Sequence, residues 1–255
     1  MFGAIAGDII GSIYEFKNIK TKDFPLFQST NFFTDDTVCT VAIADALLRK
    51  TDPEETLRSW CLKYESNGGW GRKFSQWIVN PSLGPYGSFG NGAAMRISPV
   101  GFTGKNEYEI YDLADKFTAI THNHPEGIKG ARATALAIFM ARNQFSMNAI
   151  RNVITEYFQY DLSKTVDEIR KDYFFNETCQ GSVPQALTCF LEATSFEDAI
   201  RNGISIGGDS DTIGAIIGGM AEAKWGIPNE ILTEVRARLP DDMLEVMDGF
   251  YNTLK

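Results

Sequence analysis

Two short acidic clusters carry most of the chemistry that this chain could do: Thr34-Asp35-Asp36-Thr37 near one end and Asp209-Ser210-Asp211-Thr212 near the other. Each follows a loop-like stretch and opens a run of helical periodicity, so each sets carboxylates and a hydroxyl on the first turn of a helix. Brought face to face, they would offer four carboxylates (Asp35, Asp36, Asp209, Asp211) and the oxygens of Thr34 and Thr212. All-oxygen sets of this kind suit hard divalent cations such as Mg2+ or Mn2+, and this one is large enough for two. The plainer alternative is that Thr34, Asp35 and Asp209 only cap helices and offset the macrodipole. A cap uses one good oxygen, whereas each cluster supplies three in adjoining positions, and this favours a metal site.

The elements that must position these clusters are helices. Helical periodicity recurs over residues 36–49, 54–65, 107–120, 125–143, 147–160, 183–193, 196–204, 209–225 and 240–254. In the first of these, Val38, Val41, Ala42, Ala44, Leu47 and Leu48 share one face, and Asp52-Pro53 is a start signal for the second. Strand-like alternation is scarce and no βαβ rhythm appears, so the expectation is roughly a dozen helices in one all-α domain covering residues 1–255. The stretch 80–106, rich in glycine and proline, has no regular pattern and reads as a functional loop.

Glycines add a packing constraint. Gly3, Gly7 and Gly11 recur every four residues in the first helix, and Gly214 and Gly218 do so behind Asp211. Each helical glycine costs about 0.8–1 kcal/mol relative to alanine, so the stripe makes sense where another helix backbone approaches closely. The expectation is that these two helices pack at the centre. The second acidic cluster would then lie beside the end of the first helix, where Glu15 adds a fifth carboxylate.

Bulk properties narrow the function class. The chain has 44% hydrophobic and 22% charged residues, an ordinary globular balance, and a net charge of −9. That charge argues against a general nucleic-acid binder or a membrane-surface protein, although an anionic substrate can still be met locally by metal ions. Cys39, Cys61, Cys179 and Cys189 show no CxxC spacing and read as buried, reduced thiols. The first residues carry neither a basic n-region nor an uninterrupted apolar run, and the expected location is the cytoplasm. A monomer is the default expectation. Trp60, Trp77 and Trp225 are expected in the core. His124 reads as a capping or core residue; at a spacing of two, His122 and His124 would diverge on a helix and make a poor zinc pair.

Five motifs in one order carry a family resemblance: Gly7-Asp8-Ile9-Ile10-Gly11-Ser12 with Glu15, Thr34-Asp35-Asp36-Thr37, Gly90-Asn91-Gly92-Ala93-Ala94-Met95-Arg96, Thr121-His122, and Gly207-Gly208-Asp209-Ser210-Asp211-Thr212-Ile213-Gly214. Together they resemble the ADP-ribosylglycohydrolase family over nearly the whole chain, from Gly3 to about Gly226. The resemblance implies a compact orthogonal helical bundle, two Mg2+ or Mn2+ ions, and hydrolysis of the bond between the anomeric carbon of ADP-ribose and its acceptor. By that resemblance Thr34, Asp35 and Asp36 ligate one metal, Asp209 and Thr212 the other, and Asp211 bridges them. Glu15 sits on a mobile segment, able to reach a metal or swing away as substrate enters, and Asp36 is first choice to orient or deprotonate the water, with Asp35 and Glu15 beside it.

The segment Tyr86-Gly87-Ser88-Phe89-Gly90-Asn91-Gly92 matches the family's diphosphate loop. Its glycines would let backbone N–H groups reach phosphate oxygens, Ser88 and Asn91 would add side-chain donors, and Phe89 is expected against the adenine. His122 matches a position that contacts the substrate ribose in relatives. Two other readings stay open: a catalytically silent ADP-ribose binder or crystallin-like structural relative, and an unrelated transferase using Asp209-Ser210-Asp211 as a DxD motif in an α/β sheet. Arginine-linked, serine-linked, nucleic-acid-linked and small-molecule ADP-ribose all remain as acceptor classes.

Overall fold

A computed structural model describes residues 1–254. The helices are α1 (Phe2–Gly11), α2 (Asp35–Arg49), α3 (Pro53–Lys63), α4 (Arg72–Val79), α5 (Gly92–Met95), α6 (Ser98–Thr103), α7 (Glu107–Thr118) and α8 (Pro125–Arg142). They continue as α9 (Met147–Phe158), α10 (Val166–Asp172), α11 (Cys179–Leu191), α12 (Phe196–Ser205), α13 (Ser210–Trp225), α14 (Asn229–Arg236) and α15 (Asp241–Thr253). Among the described residues the only strand-type pairing is an isolated bridge between Gly90 and Thr178, so the fold is all-α and the α/β reading of the DxD triplet falls away.

The centre is a helix pair built by the glycine stripe. Every residue of α1 is buried, which follows from a segment that is apolar or glycine at every position but Asp8. It packs antiparallel on α13: a Cβ built on Gly3, Gly7 or Gly11 would collide with the backbone carbonyl of Gly218, Gly214 or Ser210 respectively. A side chain on either helix would therefore push the axes apart. This register brings the start of α13 beside the end of α1, as the spacing of the glycines predicts.

Around that pair the apolar side chains form a continuous core, with Trp77 fully enclosed and Trp60 buried. Trp60 donates from Nε1 to Asp45 at 3.0 Å, and Trp225 lies edge-on to Phe190. All four cysteines are free and buried. No described helix is long and apolar enough to cross a membrane.

The stretch 80–106 is less irregular than expected, since it contains α5 and α6. α4, α10 and α14 were also absent from the periodic pattern. These helices are 8, 4, 6, 7 and 8 residues long in chain order from α4, too short to show the repeat that reveals a helix. α11 begins at Cys179, earlier than the expected residue 183, because Thr178 caps it by accepting from the Gly181 N–H and Pro184 falls inside the helix.

Candidate active site

Neither N-cap residue of the acidic clusters caps its own helix. Thr34 is the N-cap residue of α2 and Asp209 that of α13, yet neither side chain makes a capping hydrogen bond. For α2 the capping is done from another helix. The Asp8 carboxylate of α1 accepts from the Thr34 N–H at 2.9 Å, the Thr37 N–H at 3.1 Å and the Thr34 hydroxyl at 2.7 Å, and also from the Thr37 hydroxyl. The positive end of α2 is thus met by a buried anion in trans, which frees Asp36 to face the centre.

Two carboxylate groups result. Oxygens of Asp8, Asp36 and Asp211 lie within 4.8 Å of one another, and so do those of Glu15, Asp209 and Asp211. Asp211 belongs to both. Asp36 Oδ2 accepts from the Thr34 hydroxyl at 3.3 Å and the Thr212 hydroxyl at 3.4 Å, while its Oδ1 is buried without a partner. Asp35 lies outside both groups and accepts from the Gly69 N–H at 3.1 Å. Asp8 was missed as a candidate. Its signal was present in the sequence as the one charge inside the apolar glycine stripe, a position that only a paired or ligand-bound acid tolerates.

Burial and mutual repulsion act in the same direction on these acids. Asp36 and Asp211 are raised well above the ordinary carboxylate range, by burial first and by their acidic neighbours next. Asp8 and Asp35 are pushed up to about 6, and Glu15 to about 7, each chiefly by burial. Asp209 is raised by burial too, against hydrogen bonds that lower it, including one from Asn91. Unpartnered buried carboxylate oxygen and several acids without a facing cation make an all-oxygen donor set that fits hard divalent ions.

An open cleft of about 260 Å³ leads to this centre. Glu15, Asp35, Asp36, Asp209, Asp211 and Thr212 line its floor, with Ser88, Gly90, Asn91, Gly92 and His122 on one wall. Arg72, Lys73 and Arg96 supply positive charge, and Phe175 supplies an aromatic face. Gly87 and Phe89 are not part of the lining. The Phe89 ring packs against His124, 5.1 Å between centroids, because its backbone carbonyl is tied to the Cys179 N–H at 2.9 Å. Phe175, itself stacked on Phe16, and Phe74 are the phenyl rings that border the cleft.

The glycine-rich loop is also more committed than expected. The N–H groups of Gly87, Gly90 and Asn91 already donate to Asn123 Oδ1, Ser88 Oγ and the Glu177 carbonyl, at 2.7, 3.2 and 2.8 Å. The Asn91 side chain donates to Asp209 Oδ2 at 2.7 Å and Ser182 Oγ at 3.1 Å, so it braces the acidic centre where a phosphate contact was expected. His124 caps α8 by accepting from the Glu126 N–H at 3.1 Å.

Glu15 stands in the turn after α1. Asn18 donates to the carbonyls of Tyr14, Glu15 and Gly208 at 2.7, 2.9 and 2.9 Å, and accepts from the Gly208 N–H at 2.8 Å. Gly207 and Gly208 take φ of 71° and 81°, the left-handed region open to glycine, to make that turn before Asp209. The backbone at Glu15 is therefore pinned in this structure, where a mobile segment was expected.

A sequence profile of ADP-ribosylglycohydrolase matches residues 1–254. An uncharacterized protein of Archaeoglobus fulgidus is 28% identical over 81% of this chain and 76% of its own length. ADP-ribosylhydrolase ARH3 of Mus musculus is 22% identical, covering 98% of this chain and 87% of its own, and the Homo sapiens protein is also 22% identical. A solved ADP-ribosylglycohydrolase-related protein complex superposes with a TM-score of 0.76 at 22% identity, covering 100% of this chain and 97% of that one, which shows a shared fold. The chain belongs to the ADP-ribosylglycohydrolase family.

Proposed function

We propose that this chain is a metal-dependent hydrolase that cleaves the bond between the anomeric carbon of ADP-ribose and an acceptor, as one domain acting as a monomer in the cytoplasm. The observation that carries the reading is the position of Asp211, shared by two carboxylate groups, one of which includes Asp36 with its unpartnered buried oxygen. Asp8, Thr34, Asp36, Asp209, Asp211 and Thr212, with Asp35 and Glu15 at the margin, would hold two Mg2+ or Mn2+ ions. Bound there, the ions would supply charge compensation and Lewis acidity at the ribose hydroxyls.

The chain's own residues supply the rest. Asp36 Oδ1 is free to accept a proton from a water, and burial makes it a stronger base than an exposed aspartate. That water attacks the anomeric carbon as the bond to the acceptor breaks, the proton it gives to Asp36 passes on to the released acceptor, and the flanking carboxylates stabilise the oxocarbenium character of the ribose. Ser88 and the N–H groups of residues 87–92 that the loop leaves free would meet the diphosphate, aided by Arg72 and Lys73. His122 would meet the ribose from the same wall.

Counting ions tests the reading. Equilibration with Mn2+ followed by metal analysis should give two ions per wild-type chain and at most one in Asp211→Asn, because a shared ligand serves both positions. Two ions retained in Asp211→Asn would remove the bridging assignment, and none in the wild type would remove the metal centre.

A further inference from the structure

We propose that Arg96 and Thr121 are positioning residues that hold His122 in one neutral tautomer, with its hydrogen on Nε2, so that the ring is a fixed donor toward the glycine-rich side of the cleft. The ligand named for that donor rests on the ADP-ribose reading above; the tautomer does not.

The geometry leaves Nδ1 one role. A guanidinium has only N–H groups and no lone pair to offer. Arg96 Nη2 lies 3.2 Å from His122 Nδ1 and 2.6 Å from Thr121 Oγ1, and Thr121 Oγ1 lies 2.8 Å from Nδ1. A hydrogen on Nδ1 would confront the hydrogens of Arg96, so Nδ1 accepts. The Thr121 oxygen accepts from Arg96, and its own hydrogen is available to donate to the same nitrogen once Nδ1 is an acceptor. Adding a second proton to the ring would place two cations side by side in a buried pocket, where Arg96 is 1% and His122 6% exposed. Burial first and the Arg96 charge second keep the imidazole well below its usual range.

The opposite edge of the ring faces open space that glycine provides. A Cβ at Gly90 or Gly92 would lie 3.5 or 3.3 Å from Nε2, so those two positions keep a passage between the ring and the cleft. Tyr86 packs on the ring at 6.2 Å between centroids, and Arg96 is the charged group that faces it. Arg96 has reason to be there for this purpose. Its guanidinium is buried, its Nε has no partner, and its visible bonds go to Thr121 and His122 and to no carboxylate among the described residues. Burying a guanidinium without a counter-ion is costly to the fold, and fixing a donor beside the substrate wall accounts for that cost.

The imidazole nitrogens can be read directly. With only two histidines in the chain, a long-range proton–nitrogen correlation spectrum of the 15N-labelled protein near pH 7 is assigned by His124→Gln. The expected result is a non-protonated Nδ1 and a protonated Nε2 for His122 in the wild type. A hydrogen on Nδ1, or an imidazolium, would overturn the proposal, and this measurement needs no variant at Arg96. In Arg96→Met, and more mildly in Thr121→Val, the tautomers should mix and ADP-ribose affinity should fall about tenfold, or 1.4 kcal/mol, while Mn2+ uptake stays. A single Nε2–H tautomer with parental ADP-ribose affinity in both variants would also overturn it. Failure of the wild type to bind ADP-ribose would instead count against the cleft assignment and leave the tautomer result standing.

Discussion

Asp36 keeps one carboxylate oxygen buried without a partner while the other meets two threonine hydroxyls, and on the proposed reading this asymmetry separates the oxygen that would take the proton from the one that is held. Asp36→Asn should lower turnover by at least about 100-fold, the usual worth of a positioned general base. Unchanged turnover on several ADP-ribosyl conjugates would move the base elsewhere. Glu15 presents a second test. Glu15→Gln should reduce turnover by more than about tenfold, or 1.4 kcal/mol of barrier, with ADP-ribose affinity kept or improved. The same variant has a pH signature. Glu15 ionises near 7 in the fold and near ordinary carboxylate values unfolded, because burial and Asp209 disfavour its charge. A raised folded value means that its favourable contribution is present below about pH 4.5 and is lost as pH rises to about 7. Glu15→Gln, lacking that titration, should therefore gain stability over the metal-free wild type between about pH 5 and 8 and show no gain at pH 4. Chelator-treated melts across that range check the sign; a gain confined to acid pH would contradict it.

At the scale of elements, α1 does two jobs: its glycines let α13 approach, and its one acid caps α2. Gly7→Ala adds a methyl group where the Gly214 carbonyl already stands, so despite the better helix propensity of alanine it should cost roughly 1–3 kcal/mol and weaken metal uptake by separating the two clusters. Gly84→Ala, with nothing within 4 Å of the new Cβ, is the control and should melt like the parent. Equal midpoints in both would mean the pair tolerates separation. Asp8→Ala removes the acceptor for two backbone and two hydroxyl donors and should cost about 1–3 kcal/mol in a urea titration; an unchanged midpoint would show that α2 is capped by solvent. Much of this was legible in the sequence. The acidic clusters open long periodic helices, and the four-residue glycine spacing implies their close approach. Asp8 stood out only as a lone charge in an apolar helix, and its role did not show, because capping from another helix leaves no local spacing to read. The direction of Phe89 and the bracing role of Asn91 were not legible either, since both follow from the pairing of residues 89–91 with 177–179, which only the tertiary fold brings together.

At the scale of the whole molecule, a chain of net charge −9 gathers six of its acids, Asp8, Glu15, Asp35, Asp36, Asp209 and Asp211, around one end of its central helix pair. Such a concentration is unfavourable unless cations join it, and it would repel a diphosphate that entered alone. The acids, the glycine-rich wall and the cationic rim of Arg72 and Lys73 make sense together when ions are bound and an anionic substrate follows. The measurement that tests this most directly is ADP-ribose release from a panel of arginine-linked, serine-linked, nucleic-acid-linked and small-molecule conjugates, with Mg2+ or Mn2+ and then with excess chelator. Release from at least one conjugate with metal, abolished by chelator and restored by added ion, is the expected result. Equal release at confirmed near-zero metal content, or no release from any conjugate by metal-loaded protein, would contradict it.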